Sequence, residues 1–315
     1  MCDKGLRREE KALLVGINRY PGAPLAGCVN DVSDMAEALV EVFGFSPENI
    51  RLLVDERATT QAIKERIDWL VKVRKGARVF FHFSGHGVQY PTRDYAHEID
   101  GMLEAVCPVD FQWDLNHMLT DKDFVRMFGR IPKGCFFSWV NDSCHSGDLT
   151  RAMPVPNAPD MIPRMYPTPV DIEWRKRTCL SRSIAPAPRA VVCGRLEVGF
   201  VSGCKSNQTS ADTYVNGRPC GALTHYFLET LKTPGNLSKP LKEVVKLTRD
   251  RLASLGYTQR PQAEGRRADE PFLSPIPGKA GAPDNAPPRP THEPGPTGPA
   301  EIAEDGETYP LPMED

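Results

Sequence analysis

No apolar run in this 315-residue chain approaches the roughly 18 residues that a membrane-spanning helix requires. The opening stretch, MCDKGLRREEKALLVG, carries charges where a signal peptide would carry its apolar core. Nine cysteines are present, an odd number with no CxxC pair, which speaks against a disulfide framework and against a zinc knuckle. A reducing, cytoplasmic setting is the expectation. Basic residues are not concentrated. Residues 275–315 hold two basic and eight acidic side chains, which leaves 37 basic and 33 acidic ones before that point. An excess of +4 spread over 274 residues is no nucleic-acid footprint. Internal repeats are also absent.

What is present reads as alternating elements. Residues 11–16 (KALLVG), 50–54 and 78–83 are short apolar runs that read as strands. Between them lie helix-like stretches, one capped by Asp31 or Ser33 and running to about Val42, the next opening at Thr59 or Thr60. Strand, helix, strand, helix, strand is the pattern of a parallel sheet covered on both faces. The expected architecture is a three-layer α/β/α sandwich around a mostly parallel sheet of about six strands. Residues 90–116 form a long connection with a small hairpin, and 121–128 a helix. Residues 135–140 read as a strand buried on both sides. Strand-like runs at 190–192, 198–202 and 270–273 and helices at 221–231 and 237–255 complete the series.

Two of these strands end alike. Residues 78–87, RVFFHFSGHG, stop at His86. Residues 136–147, FFSWVNDSCHSG, stop at Cys144, 58 residues later. Ligands of open α/β sheets sit at strand C-termini, so parallel pairing brings a thiol and an imidazole to one rim. Each residue alone fits a plain structural role, Cys144 as a core cysteine and His86 as a loop histidine. Together they suit a nucleophile and its base. His145 is expected to point away from the thiol's side, and His82 to sit in the core. A metal site built from His82, His86, Cys144 and His145 fits no standard zinc spacing.

The chain resembles the caspase-like cysteine peptidases, and most closely the metacaspases and their bacterial relatives. The resemblance runs from about Lys11 to Leu273. It rests on Phe83-Ser84-Gly85-His86-Gly87 and Asp142-Ser143-Cys144-His145-Ser146-Gly147, with Phe83 where the family usually has His. Leu25 to Asp31, Asp100-Gly101, Pro108 to Phe111, Ser202-Gly203-Cys204 and Gln208 to Asp212 occur in the family's order. The resemblance implies a Cys144–His86 dyad working through a thioester acyl-enzyme, and an oxyanion site made by the backbone N–H groups of Gly87 and Cys144. It places a specificity pocket on Cys28, Asp31, Ser84 and Asp142. Two carboxylates in a narrow pocket call for a cation, so cleavage after Arg or Lys is expected. Family members act in regulated cell death, stress responses and bacterial immunity, and the resemblance favours a monomer acting on proteins or peptides, with no nucleic-acid or membrane partner.

Many metacaspases need calcium. Here Lys122, within Asp121-Lys122-Asp123, and Thr150-Arg151 replace expected acidic ligands. A cation inside such a site repels the ion, so no cofactor is expected although Asp100 and Asp121 remain. Organisation follows as an N-terminal extension (1–10), a large-subunit-like catalytic region (11–152), a linker (153–189), a small-subunit-like region completing the sheet (190–274) and an acidic, Pro-rich disordered tail (275–315). The linker holds eight prolines and is expected to be exposed, without helix or strand. Its basic residues make self-cleavage after Arg175, Lys176, Arg177 or Arg182 plausible. The rival reading is a catalytically silent caspase-like binding module.

Overall fold

The computed structural model describes residues 8–92, 101–144, 161–180, 196–203 and 210–273. Its centre is a six-stranded sheet, in the order 262–264, 198–202, 136–142, 78–84, 10–16 and 50–54. These strands are β1 (Glu10–Gly16), β2 (Ile50–Val54), β3 (Arg78–Ser84), β7 (Phe136–Asp142), β9 (Val198–Ser202) and β12 (Gln262–Glu264). All neighbours are parallel except β12, which runs against β9. The fold is therefore the mostly parallel α/β sheet expected.

Alternation along each strand divides the core in two. Leu13, Val15, Val79, Phe81, Phe83, Phe137 and Trp139 pack on one face with α2 (Thr60–Leu70) and α3 (Asp121–Phe128). Ala12, Leu14, Phe80, Val140 and Val201 pack on the other with α1 (Cys28–Glu41), α5 (Ala222–Lys232) and α6 (Leu241–Ser254). His82 lies inside β3 and is fully buried, but neither ring nitrogen has a hydrogen-bond partner among the described residues. Burial lowers its pKa to about 3, so it is a neutral core residue.

Two of the helix starts follow their sequence. Thr59 Oγ1 accepts from Ala62 N–H at the start of α2, and Thr120 with Asp123 forms a capping box on α3. The start of α1 does not. It opens at Cys28 behind an uncapping Gly27, and Asp31 lies one turn inside. Asn18 Oδ1 accepts from Cys28 N–H at 2.8 Å, and the Asp212 carboxylate takes the Ala26 and Gly27 N–H groups. Capping from a distance frees the Asp31 carboxylate for other partners.

The connection after β3 forms a small antiparallel sheet of β4 (Gly87–Pro91), β5 (Met102–Val106) and β6 (Leu119–Thr120), the hairpin expected there. A third sheet holds β8 (Met161–Pro163), β10 (Ala211–Val215) and β11 (Arg218–Gly221). The linker departs from expectation, because β8 and α4 (Val170–Leu180) both lie inside 153–189. Pro167 and Pro169 precede α4, and Pro169 O accepts from Glu173 N–H at 2.9 Å. Proline is tolerated at a helix entry, and residues 170–180 contain none. The strand expected at 270–273 is instead a turn whose Phe272 and Leu273 fill the second core. The run at 190–192 and the tail at 275–315 lie outside the described residues.

Candidate active site

Register fixes the rim. Ser84 pairs with Asp142 across β3 and β7, so His86 and Cys144 each stand two residues beyond matched strand ends. Both are buried. His86 Nε2 lies 2.7 Å from Ala23 O, which makes Nε2 the protonated nitrogen and leaves Nδ1 as the free base. Nδ1 is buried and has no hydrogen-bond partner among the described residues. The ring rests on Tyr20, with centroids 4.6 Å apart. Burial lowers the imidazole to about 4, against a smaller upward pull from the Ala23 carbonyl. The sequence offered no orienting third group, because a backbone carbonyl leaves no sequence signal.

The site is filled by the chain's own linker. Residues 161–163 run antiparallel to β10, with Pro163 opposite Ala211. Arg164 follows, fully buried, and its N–H donates to Ser210 O at 3.1 Å. Its carbonyl oxygen accepts from Gly87 N–H at 3.1 Å and Cys144 N–H at 3.2 Å. Two amides converging on one carbonyl oxygen is the geometry that stabilises charge developing there. The Cys144 thiol lies against Met165 and accepts from Ser210 N–H.

The Arg164 guanidinium meets three carboxylates. Nη2 is 2.7 Å from Asp31 Oδ2 and 2.8 Å from Asp212 Oδ1, and Nη1 is 3.2 Å from Asp142 Oδ2. Nη1 also donates to Ser84 Oγ at 2.7 Å, and Ser84 Oγ in turn donates to Asp31 Oδ2. Each acid is held from elsewhere as well. Gly221 N–H donates to Asp31, Thr224 N–H and hydroxyl to Asp142, and Ala26 and Gly27 to Asp212. Gly221 is required, since a Cβ there would lie 2.4 Å from Asp142 Oδ2 and 2.5 Å from Arg164 Nη1. Burial works against the Arg164 charge, but the surrounding acids outweigh it and keep the guanidinium protonated. Burial lifts Asp31 to about 6, with Arg164 holding it down and Asp142 pushing it up.

The structure thus gathers Asp31, Ser84 and Asp142 around one cation. Cys28 is buried at the same end of α1, and burial pushes its thiol well up. Asp212, which the sequence marks only as part of the Gln208 to Asp212 motif, touches the guanidinium directly. Arg175, Lys176 and Arg177 lie instead in α4, where Lys176 is buried against Trp113. His145, Asp100, Arg151 and Arg182 lie outside the described residues. Among the described residues, no cluster of three or more His, Cys, Asp or Glu side chains is arranged to hold a metal ion. None of their helices is long and apolar enough to cross a membrane.

Fold and rim together have the form of a caspase-like cysteine peptidase. The family model described as "Metacaspase, peptidase C14 domain" matches residues 10–153. The chain is 30% identical to metacaspase-9 of Arabidopsis thaliana, covering 87% of this chain and 99% of that protein. It is 31% identical to metacaspase-1 of Schizosaccharomyces pombe, covering 81% and 66%. A crystal structure of a Geobacter sulfurreducens protein superposes with a TM-score of 0.60 at 22% identity, over 85% of this chain and 99% of that one. Caspase-1 of Spodoptera frugiperda superposes at 0.54 and 11%, over 86% and 92%. The chain belongs to the metacaspase family and is a cysteine-type peptidase.

Proposed function

We propose that this peptidase cuts after Arg, and less readily after Lys, with Cys144 as nucleophile and His86 as base, and that its own Arg164–Met165 bond is a substrate. One observation carries the reading. Arg164 fills a pocket of three carboxylates while its carbonyl oxygen sits between the Gly87 and Cys144 N–H groups. The Cys144 thiol gives its proton to His86 Nδ1 and attacks that carbonyl carbon. The two amides take the oxyanion, and the imidazolium protonates the departing Met165 nitrogen. Water then hydrolyses the thioester. This moves the proposed cut away from Arg175, Lys176 and Arg177 to Arg164, because a protease needs an extended segment and residues 170–180 are helical, while Arg182 lies outside the described residues. The pieces would stay together, since β7 and β9, on either side of the cut, are neighbours in one sheet.

Hydrolysis is proposed to need no calcium. Asp123 is engaged by Thr120 and Arg126, and Lys122 adds a cation to the same turn. The test is to incubate wild type, Cys144→Ala and His86→Ala with and without a chelator and read new N-termini by mass spectrometry. A fragment beginning at Met165 should form only in wild type, and equally with chelator. The variants should be slower by several orders of magnitude. An intact wild-type chain would favour the silent binding module, and loss of cutting with chelator would restore a calcium requirement.

A further inference from the structure

Past Arg164 the linker stays docked. Met165 bridges Gly87 in parallel, and Tyr166 N–H donates to Gly87 O at 3.3 Å. The Tyr166 ring enters a ring of aromatics. It lies 4.9 Å from Phe111, edge-on to His86 at 5.5 Å and edge-on to Tyr20 at 5.9 Å, and its hydroxyl donates to Pro21 O. Centroid separations of this size and tilted or edge-on geometry are those that favour aromatic pairs.

The host rings are fixed without help from Tyr166. Tyr20 hydroxyl donates to Cys107 O at 2.8 Å and accepts from His86 N–H at 3.1 Å. Gly85 makes room for it, since a Cβ there would lie 2.4 Å from the Tyr20 hydroxyl. Phe111 closes a turn onto Pro108 O and stacks edge-on with Trp113 at 5.3 Å. Its neighbour Asp110 is bonded to Thr60 N–H and hydroxyl at the start of α2. Rigid walls of this kind cost little to occupy.

We infer that Tyr20 and Phe111 form a specificity subsite for an aromatic residue two positions after the cleaved bond, so that the favoured substrates are proteins carrying arginine, an apolar residue and then Tyr or Phe. This rests on the proposed cleavage after Arg164. The Met165 position, buried on the Cys144 thiol, supplies the apolar requirement. Because His86 forms one wall, an aromatic guest also covers the imidazole while the acyl-enzyme forms.

The probe is an internally quenched peptide with the sequence of residues 161–167, Met-Ile-Pro-Arg-Met-Tyr-Pro, together with versions carrying Phe or Ala in place of the tyrosine. Wild-type full-length chain should cut the Ala peptide with about tenfold lower kcat/KM, and the Phe peptide within about threefold of the parent. In Phe111→Ala the Tyr-to-Ala ratio should shrink toward one, whatever the absolute rate. Equal rates for all three peptides on wild type would overturn the subsite, and that arm stands even if Phe111→Ala fails to fold. An arginyl aminomethylcoumarin, with no amino acid after the arginine, separates the two readings. If it is turned over while the peptides show no preference, only the subsite falls. If neither it nor the arginyl peptides are cut, the cleavage reading falls.

Discussion

The two sides of the Arg164–Met165 bond are held by different physics. On the arginine side one guanidinium meets three carboxylates and a hydroxyl in a fully buried pocket, with directional contacts between 2.7 and 3.2 Å. On the tyrosine side a half-buried ring rests against three others, with one hydroxyl contact at its rim. Charge in a dry pocket is all-or-nothing, because an unmatched buried ion is costly. Ring packing is graded, since each contact adds roughly 1 kcal/mol and many shapes fit. The first side should decide whether a bond is cut at all, and the second how fast.

The sharpest way to break this comparison is to reverse the charge. Arg164→Glu puts a fourth carboxylate into the pocket, and cleavage at this bond should fall roughly a thousandfold or more, with a lower melting temperature. Arg164→Lys should be cut, but more slowly, because an ammonium cannot meet three acids with a planar fork. A normal rate for the Glu variant, read by mass spectrometry, would remove the acidic pocket from the account.

A smaller effect is expected from Asp212→Asn. It keeps the shape that caps the entry to α1 but loses a charge, and kcat/KM for arginyl peptides should drop on the order of 10- to 100-fold. The preference for Tyr over Ala after the bond should not change, because independent sites add. A changed preference would show that the two sides are coupled.

The most diagnostic effect is in pH. His86 at about 4 and His82 at about 3 are lowered by burial, so the folded chain binds fewer protons than the unfolded one below about pH 6.5. Their stabilisation is present above that pH and is lost as pH falls through the folded values. Asp31 works the other way. Raised to about 6, it holds a proton that the unfolded chain lacks, and so adds stability as pH falls from 6 toward 4. Urea unfolding of intact Cys144→Ala should show stability declining from pH 7 to 4, and declining more steeply when Asp31→Asn is added. Parallel profiles would mean that Asp31 does not carry the compensating proton.

The same contrast explains what could be read from the sequence. The sheet and the paired strand ends were legible because apolar runs that stop at an imidazole and a thiol are scarce patterns with few meanings, whereas the acids Asp31 and Asp142 were legible only through the resemblance to the family. Tyr20 and Phe111 were not, since aromatic residues fill every core and only the fold says which ones leave a gap. Ala23 contributes a carbonyl, which every residue has. The linker was misread because its eight prolines were averaged over 37 residues, hiding an eleven-residue stretch without any. Asp31 was read as a cap because the residues that do cap α1 lie 10 and 184 positions away from Cys28 in the sequence, at Asn18 and Asp212.

The acids around Arg164 come from α1, β7 and β10, and the hydroxyl from β3. A guanidinium bonded to all of them does what a structural ion does in a small metallodomain: it cancels charge that the fold has concentrated and ties separate elements to one point. In the uncut chain that ion is supplied from within. Under the proposed cleavage, release of the Arg164 segment would leave a host short of its counter-ion, and each arriving substrate arginine would at the same time restore a missing piece of the structure.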